Sequence, residues 1–407
     1  MKNNATQIGG YQQYAELERL ASMVSHYPPA SEGEYQMRLD RLIAVMRGLE
    51  IPSIFLSAGS NLRYFTGIEW NASERLSGVL INIDHSLHYI LPGFERDTFA
   101  QKIILDGTMH CWEEHEKPAR LVGGLAHRHG RKTRLAVDEK LAYGMALEIV
   151  EACADIKVVS SEKLCAPLRY IKSAYEISTL KRVKAMTLEV QRSAARILHL
   201  GINTREVTNF IDQAHRAIGA ECGSFFCITL FGKATAHPHG VDESQVLKQG
   251  DMVLIDTGCE LHGYKSDITR SYVYGDASAR QRDAWNVEKQ AQQAAFNAAL
   301  PGMACEEVDT AARQVLEQHG FGPDYRLPGL PHRTGHGIGL DIHEGPYLVK
   351  GNETRLEPGM CFSNEPMLVF PGEMGIRLED HFYMTAEGAS WFTEPSPSIE
   401  QPFADRV

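Results

Sequence analysis

Two pairs of carboxylates set inside apolar, strand-forming runs constrain this chain more than any other feature. Asp256 and Asp267 fall in Met252–Leu261 and Tyr264–Tyr274, two β-type runs joined by a short turn containing Gly263. Glu365 and Glu379 fall in Met360–Phe370 and Gly375–Met384, joined through Pro371 and Gly372. A register that sets Asp256 opposite Asp267 centres the first hairpin between Leu261 and His262. One that sets Glu365 opposite Glu379 centres the second on Gly372. Each pair would then hold its Cβ atoms roughly 4.5–5.5 Å apart. Like charges facing each other on apolar strands are destabilising, so a fold that keeps both pairs must neutralise them. Two divalent cations carry the charge that balances four carboxylates and keeps them ionised.

A fifth donor lies between the hairpins, in Arg333-Thr334-Gly335-His336-Gly337-Ile338-Gly339. Glycines on both sides of His336 allow the backbone to pass close to an ion or substrate. An oxygen-rich set with one imidazole favours Mn2+, with Co2+, Zn2+ or Fe2+ as alternatives. Strand parity sorts the neighbours. Arg377, two residues from Glu379, points toward the proposed metals, whereas Cys259 and Asp380 point away. The acidic and histidine-containing stretch His110 to His115 lacks H-E-x-x-H spacing and reads as a charged surface. No nucleophile elbow, Walker A loop or dinucleotide fingerprint is present.

With 41 Lys and Arg against 52 Asp and Glu, the net charge is −11, and no basic patch interrupts it, so no nucleic-acid partner is expected. Met1 to Leu20 has no apolar core and later apolar runs are strand-sized, so no membrane partner is expected and the chain reads as cytoplasmic. Eight scattered cysteines without a C-x-x-C pair read as free thiols. A length of 407 residues suggests two domains. Strand-like Ile54–Ser57, Gly78–Ile83 and Leu87–Leu91, with helical spacing over Glu34–Leu49, give a smaller α/β domain. An irregular stretch around Pro167 precedes a long amphipathic helix that Gly201 is placed to end. The expected division is therefore 1–167 and 168–407, in an α+β fold.

These motifs resemble the pita-bread metallopeptidases, the family of methionine aminopeptidases, aminopeptidase P, prolidase and creatinase. The matching stretches are Leu254 to Gly258 with Tyr264 to Arg270, Gly335 to Gly339 with His343 to Pro346, Ser363 to Pro366, and Gly375 to Asp380. Asn61 to Gly67 resembles a segment of the amino-terminal domain of creatinase and the proline-specific members, and Arg169 to Ser173 with Glu176 and Ile177 their interdomain entry. The resemblance implies a creatinase-like N-terminal domain, a catalytic domain of two pseudo-symmetric αββα halves, and a homodimer. It implies that Asp256 chelates one ion, that Asp267 and Glu379 bridge both, and that His336 and Glu365 complete the other. It gives His239 a contact with the reacting group, and His343 a role in steadying the substrate carbonyl and the tetrahedral intermediate. Arg377 matches the arginine beside the last bridging glutamate in aminopeptidase P. No arginine stands plainly where prolidases clamp a dipeptide's free carboxylate; Arg355 is nearby.

The reaction so implied is hydrolysis of the amide bond before proline in short peptides, foremost Xaa-Pro dipeptides. A hydroxide shared by two cations is the nucleophile, and Glu365 is the group that carries its proton to the leaving nitrogen. The alternative on the same scaffold is a metal-dependent hydrolase or lyase of a small non-peptide zwitterion, similar to ectoine hydrolase or a dimethylsulfoniopropionate lyase.

Overall fold

The computed structural model describes residues 8–127, 133–220 and 222–404. The chain forms two compact units, one over Pro28–Arg169 and a larger one from Tyr170 onward that also takes in the segment ending at Tyr27.

The smaller unit is built on β1 (Ser53–Ser57), β2 (Gly78–Asn82), β3 (Leu87–Pro92), β4 (Thr108–Trp112), β5 (Arg134–Val137) and β6 (Lys157–Ser160), in the order β4-β3-β2-β1-β5-β6. The central three strands are antiparallel, and β4, β5 and β6 join in parallel. Strands β1 and β2 are buried at every position, so their sequences run apolar on both faces instead of alternating. The helix Glu32–Gly48 starts where the Ser31 hydroxyl accepts the Glu34 N–H at 3.3 Å, and it buries Leu39, Leu42, Ile43 and Met46 along one face.

The segment ending at Tyr27 was expected in the N-terminal domain and instead belongs to the larger unit. Leu17, Leu20, Met23 and Val24 pack against the cluster containing Val207, Phe210 and Ile211. Arg19 donates to Glu189 and Ser193, each at 2.9 Å, and Gly9 N–H reaches Ala195 O at 2.9 Å. Apolar contact area and bonds to the helix Ala174–Arg196 outweigh proximity in sequence. At the other boundary, the stretch read as irregular is the helix Glu162–Tyr170 with Pro167 inside it, and the units divide between Arg169 and Tyr170.

The larger unit has two similarly composed halves, as the pseudo-symmetric expectation requires. The first sets helices Ala174–Arg196 and Thr204–Ala217 on β7 (Ser224–Phe231), β8 (Met252–Leu261), β9 (Tyr264–Lys265) and β10 (Ile268–Val273), ordered β10-β8-β7 with β9 on β8. A reciprocal capping box between Ser173 and Glu176 starts the first helix. It ends at Arg196 on a right-handed Ile197, so Gly201 lies in the following turn and is not its cap. The second half sets helices Ala279–Ala298 and Cys305–Gln318 on β11 (Gly335–Gly337), β12 (Glu344–Leu348), β13 (Cys361–Asn364), β14 (Met367–Phe370), β15 (Met374–Arg377), β16 (Asp380–Met384) and β17 (Ala389–Trp391). These strands form a β12-β11-β13-β16-β17 sheet and a β14-β15 ribbon. Among the described residues no helix is long and apolar enough to cross a membrane.

The two hairpins treat their carboxylates differently. In the first, Leu261 pairs with Tyr264 and Asp256 with Thr269, which puts the turn at His262-Gly263, one residue later than expected. Both turn residues have positive φ, 52° and 91°, the two-residue turn whose twist suits a hairpin. Asp267 is therefore not opposite Asp256; it sits in a break between β9 and β10. In the second, Met367 pairs with Arg377 and Asn364 with Asp380, a register centred on Gly372 that continues across an interruption holding Glu365 and Glu379. The halves are tied together beside these breaks. Thr269 O accepts Glu379 N–H at 3.2 Å, Arg270 donates to Glu379 O at 3.0 Å, and the Ser271 hydroxyl donates to Arg377 O at 2.9 Å.

Arg270 and Asp380 form an ion pair at 2.7 Å with both side chains 0% exposed. Asp380→Ala leaves a buried guanidinium unpaired and should cost about 3–5 kcal/mol in denaturant unfolding. Breaking the exposed Arg280–Glu373 pair should leave the unfolding midpoint nearly unchanged.

Candidate metal centre

Asp256 reaches the site from unbroken β8, Asp267 from the break before β10, and Glu365 and Glu379 from the facing interruptions of the second hairpin. His336 comes from β11. Asp256, Asp267 and Glu379 form one group of donor atoms within 4.8 Å of one another, and His336, Glu365 and Glu379 form a second. A third joins Asp267, His336 and His343. Among the described residues, these are the donor groups able to hold a metal, and all share one site. The His110–His115 stretch is not part of it: His110 contacts His88 at 3.0 Å, and Glu114 pairs with Arg75 at 2.9 Å.

The backbone explains how a histidine is delivered there. A Cβ on Gly335 would stand 2.1 Å from Ser363 O, and one on Gly337 would stand 2.5 Å from Gly345 O. These glycines therefore let β11 lie against its neighbouring strands, where the sequence reading assigned them to ion or substrate approach. His336 N–H donates to the Ser363 hydroxyl at 2.9 Å, and that hydroxyl lies 3.2 Å from Glu365 Oε1 as donor. The His336 Nδ1–H bonds Gly337 O at 2.9 Å, which fixes the tautomer. The Nε2 lone pair then faces Glu365 Oε1 at 3.1 Å and Asp267 Oδ2 at 3.8 Å.

Acceptor thus faces acceptor, an arrangement that a cation between them would satisfy. His336 Nε2, Asp256 Oδ1, Asp267 Oδ1 and Glu379 Oε1 are all buried without a hydrogen-bond partner. Such atoms carry a large desolvation cost unless a cation sits among them. In the protein alone, burial first, then Glu379, Asp256 and Glu365, hold the Asp267 carboxyl well above the usual carboxylate range. Burial, Glu365 and Asp256 do the same to Glu379. Burial also pushes Glu365 upward, yet the neighbouring His336, His332 and Arg377 carry it below its ordinary value. The donor set fits divalent cations: four carboxylates, one imidazole, and no thiol among them.

Arg377 points into this site. It pairs with Asp256 Oδ2, donates to the Thr269 hydroxyl at 3.0 Å and donates to Pro238 O at 3.1 Å. Burial opposes its charge, but Asp256, Glu365 and Glu379 outweigh that and raise its pKa. Cys259 turns the other way, 3.5 Å from the Thr187 hydroxyl in the core, and Asp380 turns to Arg270 and Gln292. His343 packs edge-on against His336 with ring centroids 4.2 Å apart. Its outer edge reaches solvent, while burial of the rest and the neighbouring His336 lower it to about 4, so it is neutral at pH 7. His239 is exposed and lines a 400 Å³ cavity with Thr204, Arg205, Thr208 and Ile228. Arg355 sits at the surface on Gly302 O and Glu307, away from this set.

Three residues were missed by the sequence reading. Arg333 lies over the Tyr347 ring at 4.3 Å and contributes to the lowering of His343. His332 borders Glu365 electrostatically. His381 is fully buried beside Glu379, and the parity that placed Arg377 applies equally to it.

The chain matches the description "Metallopeptidase family M24" over residues 178–386 and "Creatinase/Prolidase N-terminal domain" over residues 38–171. The Xaa-Pro dipeptidase of Lactobacillus helveticus is 30% identical over 371 residues, 89% of this chain and 98% of that protein. Dipeptidase PepE from Mycobacterium ulcerans superposes with a TM-score of 0.82 at 30% identity, covering 90% of this chain and 97% of the other. A recombinant prolidase from Thermococcus sibiricus superposes with a TM-score of 0.79 at 27% identity, covering 88% and 97%.

Because Asp267 and Glu379 have raised values in the folded, metal-free protein, that protein loses stability as pH rises through those values. Asp267→Asn should therefore melt above wild type in chelator at pH 8. The difference should shrink toward acid, and Mn2+ should stabilise the variant less than wild type. Melting curves in chelator from pH 5 to 8 check this; parallel curves for the two proteins would contradict it.

Proposed function

The chain belongs to metallopeptidase family M24, and from that premise we propose that it is an Xaa-Pro dipeptidase working with two divalent cations, Mn2+ by preference. The observation that carries the reading is the cage of unpartnered acceptor atoms shared by Asp256, Asp267, His336 and Glu379. Relatives named Xaa-Pro dipeptidase and prolidase, matched over nearly their whole length, support the substrate class. Asp256, Asp267, His336, Glu365 and Glu379 would hold the cations. When bound, these supply Lewis acidity toward the scissile carbonyl and lower the pKa of water.

The chain's own groups then have definite tasks. Glu365 is held ionised and is positioned by the Ser363 hydroxyl, so it can take a proton from the attacking water and pass it to the leaving nitrogen. Neutral His343 offers an N–H to the carbonyl oxygen as charge builds there, and His239, which interacts electrostatically with His343, would contact the reacting group. Arg377 fixes one oxygen of Asp256 and compensates its charge. A bond to proline lacks the N–H and the free φ that strand-gripping proteases use, so a pocket that recognises the reacting carbonyl suits it better. Arg333, beside His343, is the cation we assign to the free carboxylate of the dipeptide.

Mn2+-loaded protein should hydrolyse Xaa-Pro dipeptides. Failure on every Xaa-Pro dipeptide and longer Xaa-Pro peptide would remove the reading. Glu365→Gln should lower kcat by roughly 10²–10⁴. Arg333→Ala should raise KM for an Xaa-Pro dipeptide roughly tenfold or more while leaving an Xaa-Pro amide unaffected. An equal effect on both substrates would rule out the carboxylate contact.

A further inference from the structure

We propose that His381 is a positioning residue for Glu379, donating a hydrogen bond to Glu379 Oε1 when the cations are bound and thereby strengthening their binding. The inference rests on the two-cation reading above and concerns a residue that the reading does not use.

His381 lies on β16, paired with Ser363, and is 0% exposed. Neither ring nitrogen has a hydrogen-bond partner. A fully buried imidazole with both nitrogens unsatisfied is costly unless something in the working state satisfies it. Its Nε2 lies 3.9 Å from Glu379 Oε1, about 1 Å beyond a hydrogen bond, so a small side-chain rotation closes the gap. Glu379 Oε1 is itself buried and unpartnered, whereas its Oε2 already accepts from the Thr269 hydroxyl at 2.8 Å. The carboxylate is thus fixed at one oxygen and free at the other, and His381 is the buried donor beside the free one. A neutral imidazole has one N–H to give. The ring centroid is 6.3 Å from that of His336, and His381 belongs to none of the three donor groups, so an outer position fits better than direct ligation. Outer partners of this kind orient ligating carboxylates and typically change metal affinity by about 10–100-fold.

The test is Mn2+ binding by competition with a chelator, together with melting curves of the metal-free and Mn2+-loaded protein. His381→Phe keeps the ring's bulk and removes the donor; His381→Gln keeps a donor. His381→Phe should weaken the binding of at least one Mn2+ by roughly tenfold or more. In chelator it should melt no lower than wild type, because an unsatisfied polar ring has been removed from the core. His381→Gln should recover most of the affinity. Unchanged Mn2+ binding in His381→Phe would overturn the proposal, as would a lowered melting temperature in chelator with affinity intact, which marks a packing role only. Complete loss of one Mn2+ from both variants would also overturn it, since that identifies a direct ligand. If wild type binds no Mn2+, the underlying two-cation reading fails instead.

Discussion

Mutual repulsion among four carboxylates largely withdrawn from water is the condition to which the rest of the larger unit answers. Asp256, Asp267 and Glu379 are each under a tenth exposed, and their neighbours raise Asp267 and Glu379 rather than share their charge. One cation of the protein's own, Arg377, is committed to Asp256 and cannot offset the set. What remains is an anionic cage with its lone pairs pointed inward. Such a cage is expensive as protein alone and stable around dications.

The strands are arranged to build that cage. Three of the four carboxylates leave the hydrogen-bonded ladder, Asp267 between β9 and β10 and the glutamates in the matched gap of the second hairpin. A break frees the side chain from the strict alternation of the pleat and lets two sheets contribute to one point. The bonds from β10 to the Arg377–Glu379 segment then fix the two hairpins side by side, with the Arg270–Asp380 pair locking the reverse face.

Much of this was legible in the residues, and the failures have local causes. The second hairpin follows the register that sets Glu365 opposite Glu379, because its implied centre falls on Gly372, a turn residue with φ of 74°. The first slipped because Asp256 and Asp267 were assumed to be opposed. His262 followed by Gly263 was the better guide, since a two-residue turn with left-handed φ favours glycine at its second place. The glycines around His336 were noticed correctly but for the wrong neighbour: strand backbones, not an ion, occupy the space. His381 was readable by the parity applied to Arg377, yet a lone histidine on an apolar strand gives no sign in sequence that its nitrogens lack partners. The segment ending at Tyr27 could not be placed from sequence, because its small apolar stripe fits either unit and only tertiary contact decides.

The most direct test of the central claim is the anomalous-scattering map of a crystal of the Mn2+-loaded protein, collected at the manganese edge. Two peaks are expected, roughly 3.5–4 Å apart as in other two-metal sites, enclosed by Asp256, Asp267, His336, Glu365 and Glu379. No peak among those five side chains in fully loaded protein, or peaks only elsewhere, would contradict it.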